Sequence, residues 1–230
     1  RQTAGEVKMS LAPANYDFGK PSNYSFATTV TCANEDAQKM FVEGFGHMLN
    51  FNHEQAIACY MKVAELDPNC AMAYWGIAYC VSSNYNWTPG LGSGYDPIQQ
   101  AISLKAGCSE LEQDLIDALA ERHSEEARDA ADPSVLNMGN TPELNAAFAA
   151  AMAPLYEKYK GNLDVAAIYV EALMNLKAWQ LWDKNTKTGE ITPADENTLT
   201  CVKVMEDAFE NVEGAEEHIA LCHLYCHCLE

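Results

Sequence analysis

Two histidines and a glutamate close to the last residue of the sequence have the spacing of a metal-binding helix face. His223, His227 and Glu230 occupy positions i, i+4 and i+7, which lie on one side of an α-helix. Two imidazoles and a carboxylate are ligands that suit a divalent transition metal. Leu224 follows His223, so the glutamate that serves as base in His-Glu-x-x-His zinc peptidases is missing. The three residues therefore predict metal binding but not peptidase activity.

A third histidine is a candidate for the same site. His53, followed by Glu54, opens a helix in a distant part of the sequence. We expect His53 to join His223, His227 and Glu230 around one ion when the chain folds back on itself. The alternative interpretation is that the histidines are polar helix residues hydrogen-bonded to their neighbours. A divalent transition metal is the one cofactor that these residues indicate.

The elements that carry these residues are predicted to be helices. Phe41, Phe45, Met48 and Leu49 recur along one helical face, in a helix that Asn34 can cap. Ser109 with Glu112 has the pattern of a capping box. Further helices are predicted over residues 52–66, 71–83, 109–121, 141–160, 162–182, 198–213 and 216–230. No segment alternates with period two for long enough to predict a strand, so the predicted class is all-α, built from antiparallel helix pairs.

The helix pair at residues 37–70 resembles a tetratricopeptide repeat. The second helix carries Ala56-Ile57, Tyr60 and Ala64-Glu65-Leu66-Asp67-Pro68, where small residues permit close helix approach and the proline ends the pair. A second, degenerate repeat begins at residue 71. The resemblance implies a right-handed superhelix over residues 34–230. Residues 1–33 contain Pro13, Gly19 and Pro21 and show no helical period, so we predict that they form an extended arm.

Several longer stretches resemble one family of tetratricopeptide-repeat proteins that is widespread in bacteria, fungi and algae. The role of that family is largely unassigned, and its members continue with more helices, so the resemblance implies that this chain continues beyond residue 230. The sequence departs from the family at His218-Ile219-Ala220, where members have His-Pro-Gly, and at Cys226, where members have Ile. The matching stretches are Asn52-His53-Glu54-Gln55-Ala56, Cys70-Ala71-Met72-Ala73-Tyr74-Trp75-Gly76-Ile77-Ala78-Tyr79, Asn84-Tyr85-Asn86, Leu163-Asp164-Val165-Ala166-Ala167, Glu171-Ala172-Leu173-Met174-Asn175-Leu176, Trp179-Gln180-Leu181-Trp182-Asp183 and His223-Leu224-Tyr225-x-His227-x-x-Glu230.

The resemblance also implies a binding surface, because the first helix of each repeat lines the concave face of such a superhelix. A face of this kind would hold a peptide, a partner protein or a small ligand, which makes a binding scaffold the first functional hypothesis and a metal-binding protein or metal-dependent enzyme the alternative. The lysines and asparagines of a carboxylate clamp are replaced by aromatic residues, and ordinary core packing is the competing interpretation of each ring. The predicted surface consists of Phe41, Phe45, Met72, Trp75, Tyr79, Asn84, Asn86, Trp179 and Trp182.

Charge and cysteine content narrow the classes of partner and compartment. The formal net charge of the 230 residues is −19, which argues against nucleic acid and anionic membranes as partners. Residues 1–108 carry 6 basic and 9 acidic side chains, whereas residues 109–230 carry 8 and 24, so most of the acidity lies in the second half. No apolar run is long enough to span a bilayer. Nine cysteines without a Cys-x-x-Cys pair favour a reducing compartment such as the cytoplasm, while two glycosylation tripeptides leave a processed secreted form open.

Overall fold

A computed structural model of the chain describes residues 24–82, 84–86, 93–129 and 142–230. The described part is mostly helical, with one two-stranded antiparallel sheet, so the predicted all-α class is confirmed. No helix in these ranges has both the length and the apolar character needed to cross a bilayer. The helices are α1 (Glu35–Leu49), α2 (His53–Leu66), α3 (Ala71–Val81), α4 (Tyr95–Leu104), α5 (Glu110–Ala120), α6 (Glu125–Asp129), α7 (Pro142–Lys158), α8 (Leu163–Met174), α9 (Glu196–Asn211) and α10 (Ile219–Leu229), and the strands are β1 (Trp182–Lys184) and β2 (Ile191–Pro193).

The first three helices pack in chain order and are joined by short turns. The Asn34 side chain accepts a hydrogen bond of 2.9 Å from the Ala37 N–H, so Asn34 caps α1 as predicted. Residues 50–52 join α1 to α2, and residues 67–70 join α2 to α3. Because turns this short return the chain along its own path, packed neighbours α1 and α2, and α2 and α3, run antiparallel.

The later helices also pack against neighbours in the chain, and the last one lies against the first helix. The capping box of Ser109 and Glu112 forms at the start of α5, as the sequence predicts. Helices α7, α8 and α9 pack as successive neighbours, and α10 packs on both α8 and α9. Helix α10 also contacts α1, which places residues from the first and last described helices side by side.

The prediction that the chain lacks strands is wrong at residues 182–193. Strands β1 and β2 pair in antiparallel register, with Trp182 opposite Pro193 and Asp183 opposite Thr192. Strands of three residues are too short to display an alternating pattern, which explains the failure. The turn that joins them depends on Gly189, which has φ of 75° and donates its N–H to the Asn185 carbonyl over 2.8 Å.

The predicted N-terminal arm is described from residue 24 onward, and residues 1–23 lie outside the described ranges. Residues 24–33 pack against the helices, with Tyr24 and Phe26 buried. The Phe26 N–H donates to Asp164 over 2.8 Å, and Asp164 also lies 3.0 Å from His218 Nε2. This buried link joins the arm to α8 and to the first turn of α10.

The core contains the aromatic residues that the sequence analysis assigns to a concave binding face, and that assignment is corrected here. Five of the predicted surface residues are at most 1% exposed: Phe41, Phe45, Met72, Trp75 and Tyr79. The Trp75 indole N–H donates to the Leu115 carbonyl over 3.1 Å. A helix face that packs in the core has the same period as a face that lines a ligand site. The spacing of these residues therefore does not distinguish the two, and their burial assigns them to the core.

Charged side chains are also buried in this core, and they compensate one another. The Tyr79 hydroxyl donates to the Glu171 carboxylate, and burial raises the pKa of that carboxyl group. The Arg122 guanidinium lies 5.9 Å from the centre of the Tyr79 ring and 5.5 Å from that of Phe148, and its Nε donates to Asn145 over 2.9 Å. Tyr79 therefore holds a polar network inside the protein, where a buried charge without partners would be costly.

Candidate histidine–aromatic site

Helix α10 presents the two predicted histidines to the turn between α1 and α2. Leu221, Leu224 and Cys228 are buried on one face of α10 and fix its orientation. His223 and His227 are half-buried on the neighbouring face. The Leu49 carbonyl, at the end of α1, lies 3.4 Å from His223 Nδ1, so the fold joins distant segments here.

The two imidazoles face each other through the same ring atom. The Nε2 atoms of His223 and His227 are 3.1 Å apart, and His227 Nδ1 lies 3.3 Å from a Glu230 carboxylate oxygen. A carbonyl and an ionised carboxylate can only accept hydrogen bonds, so Leu49 and Glu230 both require a proton on the Nδ1 that they contact. Each neutral ring then directs an Nε2 lone pair at the other ring. A cation between them, either a proton or a metal ion, would satisfy both lone pairs.

The surroundings of His223 disfavour the proton. Burial lowers the pKa of the His223 imidazole, and the proximity of His227 lowers it further, against opposing effects from the Leu49 carbonyl and Glu230. An imidazolium at this position is therefore less favourable than in water. A divalent ion bound to both Nε2 atoms would remove the repulsion between lone pairs without requiring either ring to gain a proton.

Three aromatic rings enclose the histidine pair. The Phe51 ring centre lies 4.8 Å from that of His223 and 6.2 Å from that of His227. Tyr85 and Trp179 lie 5.2 and 5.6 Å from His227 and stack on each other at 5.5 Å. Tyr85 is buried, whereas Trp179 is 55% exposed, so the enclosure is apolar on the inside and reaches solvent at Trp179.

Backbone strain is concentrated in the same place. Among the described residues, the non-glycine residues with positive φ are Phe51, at 58°, and Trp179, at 62°. Side chains other than glycine, asparagine and aspartate rarely adopt this conformation, and each case costs on the order of 1–2 kcal/mol. Both rings contact His227, so the fold maintains two strained positions against one histidine. Such strain is frequent at functional sites.

Carbonyl groups in the last turn of α10 accept hydrogen bonds from Tyr85 and from a fourth aromatic residue, Trp182. The Trp182 indole N–H donates to the Cys228 carbonyl over 2.6 Å, and the Tyr85 hydroxyl donates to the His227 carbonyl over 3.4 Å. Carbonyls at a helix end lack partners within the helix. Trp182 and Tyr85 therefore satisfy them and position His227.

The two predicted asparagines stand beside this enclosure and have different surroundings. Asn84 is buried, and its side-chain oxygen accepts the Asn86 N–H over 2.9 Å. Asn86 is exposed. This hydrogen bond stabilises the turn that carries Tyr85, so Asn84 helps to position the Tyr85 ring.

His53 does not join the histidine pair, and the predicted four-residue metal site is corrected accordingly. Its ring lies against Phe51, with the centres 6.1 Å apart, and Phe51 also contacts His223. Glu230 approaches His227 from the Nδ1 side, away from the facing Nε2 atoms. No group of three among His53, His223, His227 and Glu230 brings its ligand atoms together within 4.8 Å.

The environment of His53 is that of a buried neutral histidine. Its imidazole is hydrogen-bonded to the Cys80 carbonyl, and burial, with the positive charge of Arg122, lowers the pKa of His53 to about 4. A neutral imidazole in this position supports packing between α2 and the end of α3. His53 is therefore part of the buried packing around Phe51, a ring that His223 also contacts.

Comparison with known proteins does not assign the chain. No family model matches it, and no curated protein or solved structure shows significant similarity to it.

Proposed function

We propose that this protein is a tetratricopeptide-like helical scaffold that binds a divalent transition-metal ion between His223 and His227. The observation that carries the proposal is the pair of facing Nε2 atoms, 3.1 Å apart, in rings whose Nδ1 atoms both lie against acceptors. Ligating histidines characteristically donate their other ring nitrogen to a carboxylate or a backbone carbonyl. Glu230 and Leu49 supply those two kinds of acceptor.

The separation of the two nitrogens suits a shared ion. With metal–nitrogen bonds of about 2.0–2.1 Å, a nitrogen separation of 3.1 Å corresponds to an angle of roughly 95–100° at the metal. That angle lies between the ideal octahedral and tetrahedral values. Two histidines leave other coordination positions for water or for an oxygen or nitrogen of a bound ligand, and the net charge of −19 is compatible with a bound cation.

The scaffold part of the proposal is supported by the packing of Tyr60. A Cβ added to Gly44 of α1 would lie 3.1 Å from the Tyr60 ring, and one added to Gly76 of α3 would lie 2.5 Å from it. The Tyr60 ring of α2 is thus held between Gly44 of the preceding helix and Gly76 of the following helix. Close packing of this kind between successive helices is what repeat proteins use to build a continuous core.

Zinc titration of the purified chain tests the metal site. We expect the number of Zn²⁺ ions that bind per chain with wild-type affinity, measured by competition with a chromophoric chelator, to fall by one in His223→Ala and in His227→Ala, because each removes a ligand. Cys226→Ala, an exposed position on the same helix, is the matched control and should bind as the wild type does. An unchanged number of bound ions in both histidine variants would reject the proposal.

A second candidate function is the capture of an apolar group, such as a peptide side chain, at Trp179. The observation that favours it is an indole that is 55% exposed while its backbone is held at φ of 62°. Exposed aromatic rings on rigid supports are frequent in binding sites. The neutral dye Nile red should bind the wild type more tightly than Trp179→Ala, and equal binding would reject this candidate.

A further inference from the structure

A second cluster of metal-ligating side chains lies between α1 and α2 and shares no residue with the histidine pair. Its members are Glu43 and His47 of α1 and Cys59 of α2, and their ligand atoms all lie within 4.8 Å of one another. Among the described residues, this is the one group of at least three histidine, cysteine or carboxylate side chains that meets this distance. No sequence motif predicts this cluster, because its three residues come from two helices.

Local sequence explains why the three side chains meet. Glu43 and His47 are four residues apart on α1 and therefore share a face. Gly44 stands next to Glu43 on that helix, and a Cβ added to Gly44 would lie 3.0 Å from the Cys59 Cβ. The missing side chain thus allows α2 to approach closely and to place Cys59 beside the two ligands from α1.

Neighbouring amides hold two of the three groups. The Asn52 side-chain amide lies 3.3 Å from His47 Nδ1. This contact fixes the orientation of the imidazole ring. Gln55 is hydrogen-bonded to the Cys59 sulfur and favours its ionised form. Contacts of this kind orient ligands and raise metal affinity.

Without a cation, the surroundings keep the Cys59 thiol protonated. Burial and the negative charge of Glu43 raise the pKa of the Cys59 thiol to about 12, because both disfavour a second negative charge. A divalent ion would reverse both effects, since it stabilises a thiolate and a carboxylate together. Cys59 and His47 are buried, while Glu43 is half-buried, so an ion would enter from the side of Glu43.

We infer that Glu43, His47 and Cys59 form a binding site for a divalent transition metal that accepts sulfur, nitrogen and oxygen ligands, with Zn²⁺ as the best-suited ion. On binding, the Cys59 S–H bond breaks, its proton passes to solvent and a metal–sulfur bond forms. A water molecule occupies the fourth position. This site shares no ligand with His223 and His227, so it stands whether or not the proposed function does.

Cobalt binding tests the inference with a signal that the histidine pair alone does not produce. Co²⁺ bound to a thiolate gives a charge-transfer absorption in the near ultraviolet, whereas Co²⁺ bound to imidazoles and water does not. We expect this absorption in the wild type and its loss in Cys59→Ala. The double variant His223→Ala/His227→Ala and the exposed-cysteine control Cys226→Ala should retain it.

A partly exposed ligand gives a second variant with little risk to folding. Glu43→Gln should keep the wild-type circular dichroism spectrum and bind Co²⁺ at least about tenfold more weakly, as judged by the same absorption. Two results would overturn the inference: no charge-transfer absorption in the wild type at saturating Co²⁺, or an absorption that survives in Cys59→Ala. Undiminished affinity in Glu43→Gln would remove Glu43 from the ligand set and overturn the site as stated.

Discussion

The aromatic core around Trp75 and the histidine–aromatic site around His227 are built from the same kinds of side chain, yet they differ in two respects. In the core, the indole of Trp75 is buried and its N–H has the Leu115 carbonyl as acceptor. In the site, Phe51 and Trp179 are strained, and two imidazoles face each other through their Nε2 atoms. Aromatic side chains alone thus indicate core packing. A strained backbone together with facing imidazole nitrogens indicates the candidate functional site.

The largest expected effect concerns the core. Trp75→Ala should lower the free energy of unfolding by about 3–5 kcal/mol, because it leaves a large cavity and removes the buried hydrogen bond to the Leu115 carbonyl. Urea denaturation followed by circular dichroism measures this change, with Trp75→Phe as the milder control. If Trp75→Ala unfolded at the wild-type urea concentration, Trp75 would belong to a surface and the comparison would fail.

The next effect concerns His53, the buried histidine that contacts Phe51. The pKa of His53 is about 4 in the folded protein and about 6.5 when unfolded. The unfolded chain therefore binds the proton first, and stability is lost as the pH falls from 6.5 to 4, by about 3 kcal/mol from this residue. His53→Gln should be less sensitive to pH over this window, as measured by urea denaturation at several pH values. Parallel curves for the two proteins would show that His53 is not held neutral.

A smaller effect tests the strain in the site. Phe51→Gly and Phe51→Ala both remove the ring, but only glycine adopts a φ of 58° without a steric cost. Phe51→Gly should therefore be more stable than Phe51→Ala by about 1 kcal/mol, the reverse of the usual order. Thermal unfolding of the two variants gives the difference. A more stable alanine variant would mean that the turn relaxes to another conformation.

The smallest expected effect is that of Trp179→Ala on stability. Because Trp179 is 55% exposed, its loss should change the free energy of unfolding by less than about 1 kcal/mol. Urea denaturation beside Trp75→Ala makes the comparison direct. A loss as large as that of Trp75→Ala would place both indoles in one structural role.

Much of the fold could be predicted from the sequence because its signals are local. The Asn34 cap and the capping box of Ser109 and Glu112 depend on residues three apart, and both form. The shared face of His223 and His227 follows from helix geometry alone. By contrast, the burial of Phe41 and Trp75 depends on which layer covers them, and helical spacing does not contain that information.

The parts of the site that cannot be predicted from the sequence depend on turns and on contacts between distant segments. Phe51 contacts both His53 and His223 from a left-handed turn position, which no periodic pattern predicts. Leu49 reaches His223 only because α10 returns to α1. The Glu43–His47–Cys59 cluster likewise requires the close approach of α1 and α2 at Gly44.

Anomalous diffraction from crystals grown with Zn²⁺ shows whether His223 and His227 share a metal ion. We expect an anomalous peak at the zinc absorption edge about 2 Å from both Nε2 atoms, with Glu230 and Leu49 still in contact with the Nδ1 atoms. Two facing imidazoles joined by a direct hydrogen bond, with no peak between them at saturating Zn²⁺, would contradict it.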